Sequence, residues 1–132
     1  MGKIKSDYSC SLTLFNDLLG GKWKLRILWH IIAGDNRFSR LQRAIPDISH
    51  KMLITQLKEL EASGLIKRYD YGGYPMRVEY ALTTEYSTII HILNQLCNFA
   101  EDYAVSNHIS VSISQSNLPT EISSEYSSFN EE

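Results

Sequence analysis

At 132 residues, 43% of them hydrophobic and 21% charged, with a net charge of −2, the chain has the balance of one globular domain rather than a disordered or fibrous protein. Its opening, MGKIKSDYSC, is too polar for a secretory leader, and no apolar run approaches the ~20 residues of a membrane span, so a cytoplasmic protein without membrane contact is expected. Two cysteines, Cys10 and Cys97, are too few for a disulfide framework or a zinc motif; reduced thiols and no metal or cofactor are the expectation.

Leu12, Phe15, Leu18 and Leu19 recur at helical spacing before Gly20-Gly21, which predicts a first helix and its stop. The run WKLRILWHIIA sets Trp23, Ile27 and Ile31 on one stripe beside Leu28 and Ile32, a second and largely buried helix closed by GDN. FSRLQRAI places Phe38, Leu41, Ala44 and Ile45 on one side and Arg40 and Arg43 on the other until Pro46 forbids continuation. Ser49 can cap a fourth helix whose Leu53, Leu57 and Leu60 face the core before Ser63-Gly64. At ~100° per residue, Lys51, Ile54, Thr55 and Lys58 point away from that stripe.

LIKRY and RVEYAL, joined by DYGGYPM, predict a β-hairpin with Tyr71, Tyr74 and Arg77 near its tip. Thr83 is the predicted cap of a final helix. There Ile89, Ile90, Ile92, Leu93, Leu96, Cys97, Phe99, Ala100 and Tyr103 form an apolar surface too wide for one small domain to cover, which suggests a homodimer. The folded domain is expected over residues 8–105. Residues 106–132, serine-rich and ending in acids, read as a flexible tail, with a short strand conceivable over His108 to Ile113.

Charge follows this organisation. Between Lys22 and Arg77 stand eleven bases and five acids, a local charge of +6, while acids gather in Glu101, Asp102 and the tail. Helices in series, a tight turn, a capped helix and a glycine hairpin make the order of a winged helix-turn-helix, mainly α with a small β-hairpin, in which the second helix of the pair enters the major groove of duplex DNA. Ser49, His50 and Lys51 at the N-terminus of that helix, with Thr55 and Lys58 further along, are the candidates for groove contact. Arg40 and Arg43, with Lys67, Arg68 and Arg77 on the hairpin, are the candidates for phosphate.

Residue by residue there is a plainer account. A basic helix face is often merely solvated, the aromatic tip can pack within the hairpin, His50 suits a cap region better than a metal, and His30 suits the core. The conjunction of turn, cap, wing and charge within about forty residues favours DNA. An interaction module of the same fold that never meets nucleic acid is the alternative, and salt dependence separates the two. No phosphate-cradling glycine loop, metal spacing or nucleophile-base arrangement points to an enzyme. Trp23, Trp29, Phe99 and Tyr103 could line a small-effector pocket at a dimer interface, though core packing is the simpler account for them, as it is for Cys97.

LLGGKWKLRIL, RFSRLQRAIPDISHKMLITQLKELEASGLIKR, PMRVEYALT and LCNFAEDY, in that order, resemble the HxlR family of winged-helix transcription regulators, relatives of the MarR group. The resemblance runs from Cys10 to about Tyr103. It implies a homodimer joined through the first and last helices on a pseudo-palindromic operator, as repressor or activator, with recognition helices ~34 Å apart. It also implies that residues 49–58 form the recognition helix and residues 70–76 the wing. Cys10 falls where several members carry a cysteine that senses oxidants or electrophiles; Lys3, Lys5 and a helix start would favour its thiolate, whereas Asp7 would oppose it. Three positions depart from the pattern: Asp47 and Tyr86 stand where glycine is common, and Phe99 where tryptophan is frequent.

Overall fold

The computed structural model describes residues 4–112 and residue 118. The chain falls into two compact units, Met1–Thr83 and Thr84–Glu132, so the boundary lies inside the 8–105 span. The first unit holds helices α1 (Ser11–Leu19), α2 (Lys24–Ala33), α3 (Phe38–Ala44) and α4 (His50–Ala62), then strands β1 (Ile66–Gly72) and β2 (Arg77–Leu82). The second holds a 3₁₀ turn, Thr84–Tyr86, and helix α5 (Ile89–Ser106). Among the described residues no helix is long and apolar enough to cross a membrane.

The stripes predicted for the second, third and fourth helices supply the core. Ile27, Leu28 and Ile31 of α2, Leu41 and Ile45 at α3, and Leu53, Leu57 and Leu60 of α4 are at most 2% exposed, and Ile66, Ala81 and Leu82 of the hairpin join the core. Each buried leucine or isoleucine side chain contributes about 1.5–3 kcal/mol on leaving water. Pro46 lacks the N–H to continue α3, which ends at Ala44. Ser49 caps α4 by accepting the Met52 amide at 3.0 Å. The stop after α4 is made by Gly64 at φ 81, where the Leu65 amide reaches back to the Leu60 carbonyl at 3.2 Å. A side chain there would be strained in the left-handed region, which is why glycine follows Ser63.

The hairpin is antiparallel, pairing Ile66 with Leu82 at its base and Gly72 with Arg77 at its tip, with a bulge between Asp70 and Gly72. The Tyr80 amide also donates to the Asn36 carbonyl at 2.8 Å, so the loop after α2 borders β2. Thr83 is not a helix cap. It is buried, and its hydroxyl donates to the Gly64 carbonyl at 2.6 Å while its amide donates to the Leu65 carbonyl at 2.9 Å. These two bonds lock the hairpin base to the turn after α4, and α5 begins six residues further on without a side-chain cap.

Within the second unit, Ile89, Ile90, Leu93 and Ala104 are buried, whereas Ile92, Leu96, Phe99 and Tyr103 are 46%, 43%, 73% and 57% exposed. Phe99 and Tyr103 are therefore not core residues of the single chain, contrary to the expectation. Residues 108–112 form no strand. Of the expected tail, residues 113–117 and 119–132 lie outside the described residues.

Because Leu57 is buried and Lys58 exposed on the same turn, Leu57→Ala is expected to cost about 2–5 kcal/mol of unfolding free energy by urea titration. Lys58→Ala is expected to stay within about 0.5 kcal/mol of the parent.

Candidate nucleic-acid interface

On α4 the predicted division holds: Lys51, Thr55 and Lys58 are exposed and Ile54 half-buried, opposite Leu53, Gln56, Leu57 and Leu60. Ser49 and His50 are exposed at its start. The His50 ring meets Phe38 edge-on, 4.7 Å between centroids, which ties the start of α4 to the start of α3. The Thr55 hydroxyl donates to the Lys51 carbonyl at 3.0 Å, so its methyl and an oxygen lone pair are what it offers outward.

The structure sorts the bases of the +6 stretch into two sets. Five are occupied. Lys24, 4% exposed, pairs with Glu59 of α4 at 2.9 Å; Arg26 grips Asp47 with both terminal nitrogens at 3.1 Å; and Arg37 and Arg77 both reach Glu79. Arg68 lies 3.8 Å from Asp70. The other set, Lys22, Arg40, Arg43, Lys51, Lys58 and Lys67, is exposed and forms no ion pair with any described residue. Arg43 makes one bond, to the Ser39 carbonyl at 3.4 Å. Lys22 lies over the Trp23 ring at 4.6 Å.

This sorting alters the expected site. Arg77 is engaged on two sides, by Glu79 at 2.8 Å and by the Tyr71 ring 4.8 Å below its guanidinium, and the Glu79 partnership raises its pKa further. Burial alone would raise the Glu79 pKa, but the bonds from Arg77 and then Arg37 outweigh it and hold the carboxylate below its ordinary value. Arg77 therefore braces the hairpin tip, and Lys67, beside its base, keeps the free charge. The aromatic tip divides as well: Tyr71 packs under Arg77, while Tyr74 is fully exposed. A groove of about 540 Å³ runs between the start of α3, at Arg37 to Ser39, and the returning arm of the hairpin, at Pro75 to Val78.

Asp47 proves to be more than a turn former. Its two bonds from Arg26 hold its pKa below the ordinary 3.8 and fasten the α3–α4 turn to α2. Lys24 and Glu59 fasten the far end of α4 to the same helix. Neither pair is visible in sequence, since 21 and 35 positions separate the partners. The Gln42 amide adds a third tie across the turn, donating to the Ile48 carbonyl at 2.7 Å.

Cys10 is exposed and occupies the N-cap position of α1. The first-turn amides of Thr13 and then Leu12 favour its thiolate without closing a side-chain cap bond, and they hold its pKa below the ordinary thiol value. Lys5 is not among the causes, and Lys3 lies outside the described residues. Cys97 is half-buried, and burial, with Glu101 nearby, pushes its pKa up. Among the described residues no cluster of three or more His, Cys, Asp or Glu could hold a metal.

A leucine-backed helix with a cationic outer face, set by a clamped turn and followed by a hairpin, defines a winged helix-turn-helix domain. Residues 18–108 match the model of the HxlR-like helix-turn-helix family, and the chain belongs to it. The HTH-type transcriptional regulator YkvN of Bacillus subtilis strain 168 is 42% identical over 97 residues, covering 74% of this chain and 82% of its own. The crystal structure of a regulator called ytcD is 39% identical, with a TM-score of 0.66 over 70% of this chain and 94% of that one. The redox regulator HypR in its oxidized form gives 39% and 0.66 over 70% and 96%.

Asp47 has a folded pKa below its unfolded value, so its stabilising effect is present above about pH 4 and lost as pH falls through the folded pKa. Asp47→Asn is expected to flatten the dependence of stability on pH below about 4, measured by urea titration at a series of pH values.

Proposed function

We propose that the chain is a transcription regulator that binds duplex DNA sequence-specifically as a homodimer on a pseudo-palindromic operator, in the cytoplasm. The observation that carries this reading is the outer face of α4, where Lys51 and Lys58 are exposed with no acidic partner among the described residues while the helix behind them is sealed by leucines. Lys24 and Arg26 are neutralised by carboxylates, whereas the cations of this face meet none among the described residues. Backbone N–H groups at the start of α4, beside Ser49, His50 and Lys51, suit a phosphate; Thr55 and Lys58 would reach base edges and Arg40, Arg43 and Lys67 the flanking backbone.

Dimerisation is supported by the exposed stripe of Ile92, Leu96, Phe99 and Tyr103 on α5 and by Leu12 on α1, which is 75% exposed. A row of four large apolar side chains on one helix face marks an interaction surface. Effector control is supported by Cys10, whose exposure and lowered pKa suit oxidation. A peroxide would take its thiolate to sulfenic acid with loss of water or hydroxide, and a second thiol would displace water to give a disulfide.

Selection of random duplex DNA at two salt concentrations, followed by sequencing of the retained fraction, tests the reading. An enriched inverted repeat, lost at high salt, is expected; no retention at low salt would overturn it in favour of a protein partner. On the selected site, Lys58→Ala is expected to lower affinity and relax the sequence preference, and Lys67→Ala to reduce the log–log salt slope by about 0.9 for a lost phosphate contact. Arg77→Ala is expected to change that slope less than Lys67→Ala, because Glu79 already neutralises Arg77. Treatment with hydrogen peroxide is expected to change operator affinity in the parent chain and not in Cys10→Ser.

A further inference from the structure

The C-terminal part of the chain reverses direction after α5. His108 adopts φ 56, and the Ile109 amide reaches back to the Ala104 carbonyl at 2.8 Å, a left-handed stop that turns the backbone along the helix it has just left. At ~1.5 Å per residue, the helix between Asn94 and Ser106 is about 18 Å long. The eleven residues 107–117 can span up to about 36 Å, ample for the return.

Leu118 is the point of arrival. It is 5% exposed, and its amide donates to the Asn94 side-chain oxygen at 3.0 Å while its carbonyl accepts from the Asn94 side-chain nitrogen at 3.3 Å. A carboxamide offers the same donor and acceptor as a peptide group, so Asn94 satisfies both backbone groups of one residue and reads main chain, not side chain. The leucine side chain supplies the apolar anchor. On a helical wheel Asn94 lies about 200° from Ile92, nearly opposite the stripe of Ile92, Leu96, Phe99 and Tyr103. The match to the family model ends at residue 108, so this segment lies outside the matched domain.

We propose that Asn94 is a docking site for this chain's own C-terminal segment, holding it at Leu118 on the side of α5 away from the apolar stripe. The segment and a second subunit then take opposite sides of one helix. The second statement rests on the dimer reading above; the first does not.

Amide hydrogen exchange on the full-length protein, read residue by residue, tests the clamp without DNA. In the parent, the Leu118 amide is expected to exchange at least about tenfold more slowly than an unfolded chain. In Asn94→Ala, and at the amide of position 118 in Leu118→Ala, that protection is expected to vanish while the helical circular dichroism stays within a few per cent of the parent. Unprotected exchange at Leu118 in the parent, or equal protection in Asn94→Ala, would overturn the proposal. Sedimentation equilibrium addresses the second statement: both variants are expected to dimerise as the parent does, and loss of dimers on release of the segment would place it in the seam and overturn the opposite-sides arrangement. A monomeric parent would refute the dimer and leave the clamp to be judged by exchange.

Discussion

Burial of Leu53, Leu57 and Leu60 removes one side of α4 from water, and at about 1.5–3 kcal/mol for each side chain no rotation of the helix can recover that free energy elsewhere. Because side chains on a helix are fixed in angle to one another, the same burial dictates that Lys51, Thr55 and Lys58 look outward. The cationic face is thus a consequence of packing. Its position along the helix axis and its tilt are set by other groups: Arg26 on Asp47 at the turn and Lys24 on Glu59 near the far end.

Those two pairs differ in kind. Arg26 and Asp47 are both substantially exposed, a bidentate surface pair whose value is mainly geometric. Lys24 is almost wholly buried, and an ammonium there tolerates burial only with its carboxylate beside it, so removal of Glu59 would leave a stranded charge. Together with the Thr83 bonds to Gly64 and Leu65 they brace α2, α4 and the hairpin base around the cationic face. Such bracing holds the outward side chains of α4 in fixed positions.

Most of the first unit was legible in sequence because its signals are local. The stripes of α2, α3 and α4, Pro46, the Ser49 cap and the Gly64 stop all act over a turn or less. Thr83 was misread for the same reason: the residue type suits a cap, but a hydroxyl bonds whichever acceptor folding brings near, and that was the Gly64 carbonyl 19 positions away. Phe99 and Tyr103 read as core because apolar spacing reports a helix face suited to burial, not which of its residues the single chain covers.

By itself, then, the sequence determined the order of elements, the helix that presents the cations, and the excess of apolar surface on α5, since periodicity, capping and turn chemistry need no distant partner. Only the tertiary structure decided which of the eleven bases are paired among the described residues. Ion pairs join residues 21, 35 and 42 positions apart, and charge alone does not say which guanidinium meets a carboxylate and which meets solvent. The contact between Asn94 and Leu118 belongs to the same category, because the hydrogen-bonding capacity of an amide finds its partner only after the chain has turned back.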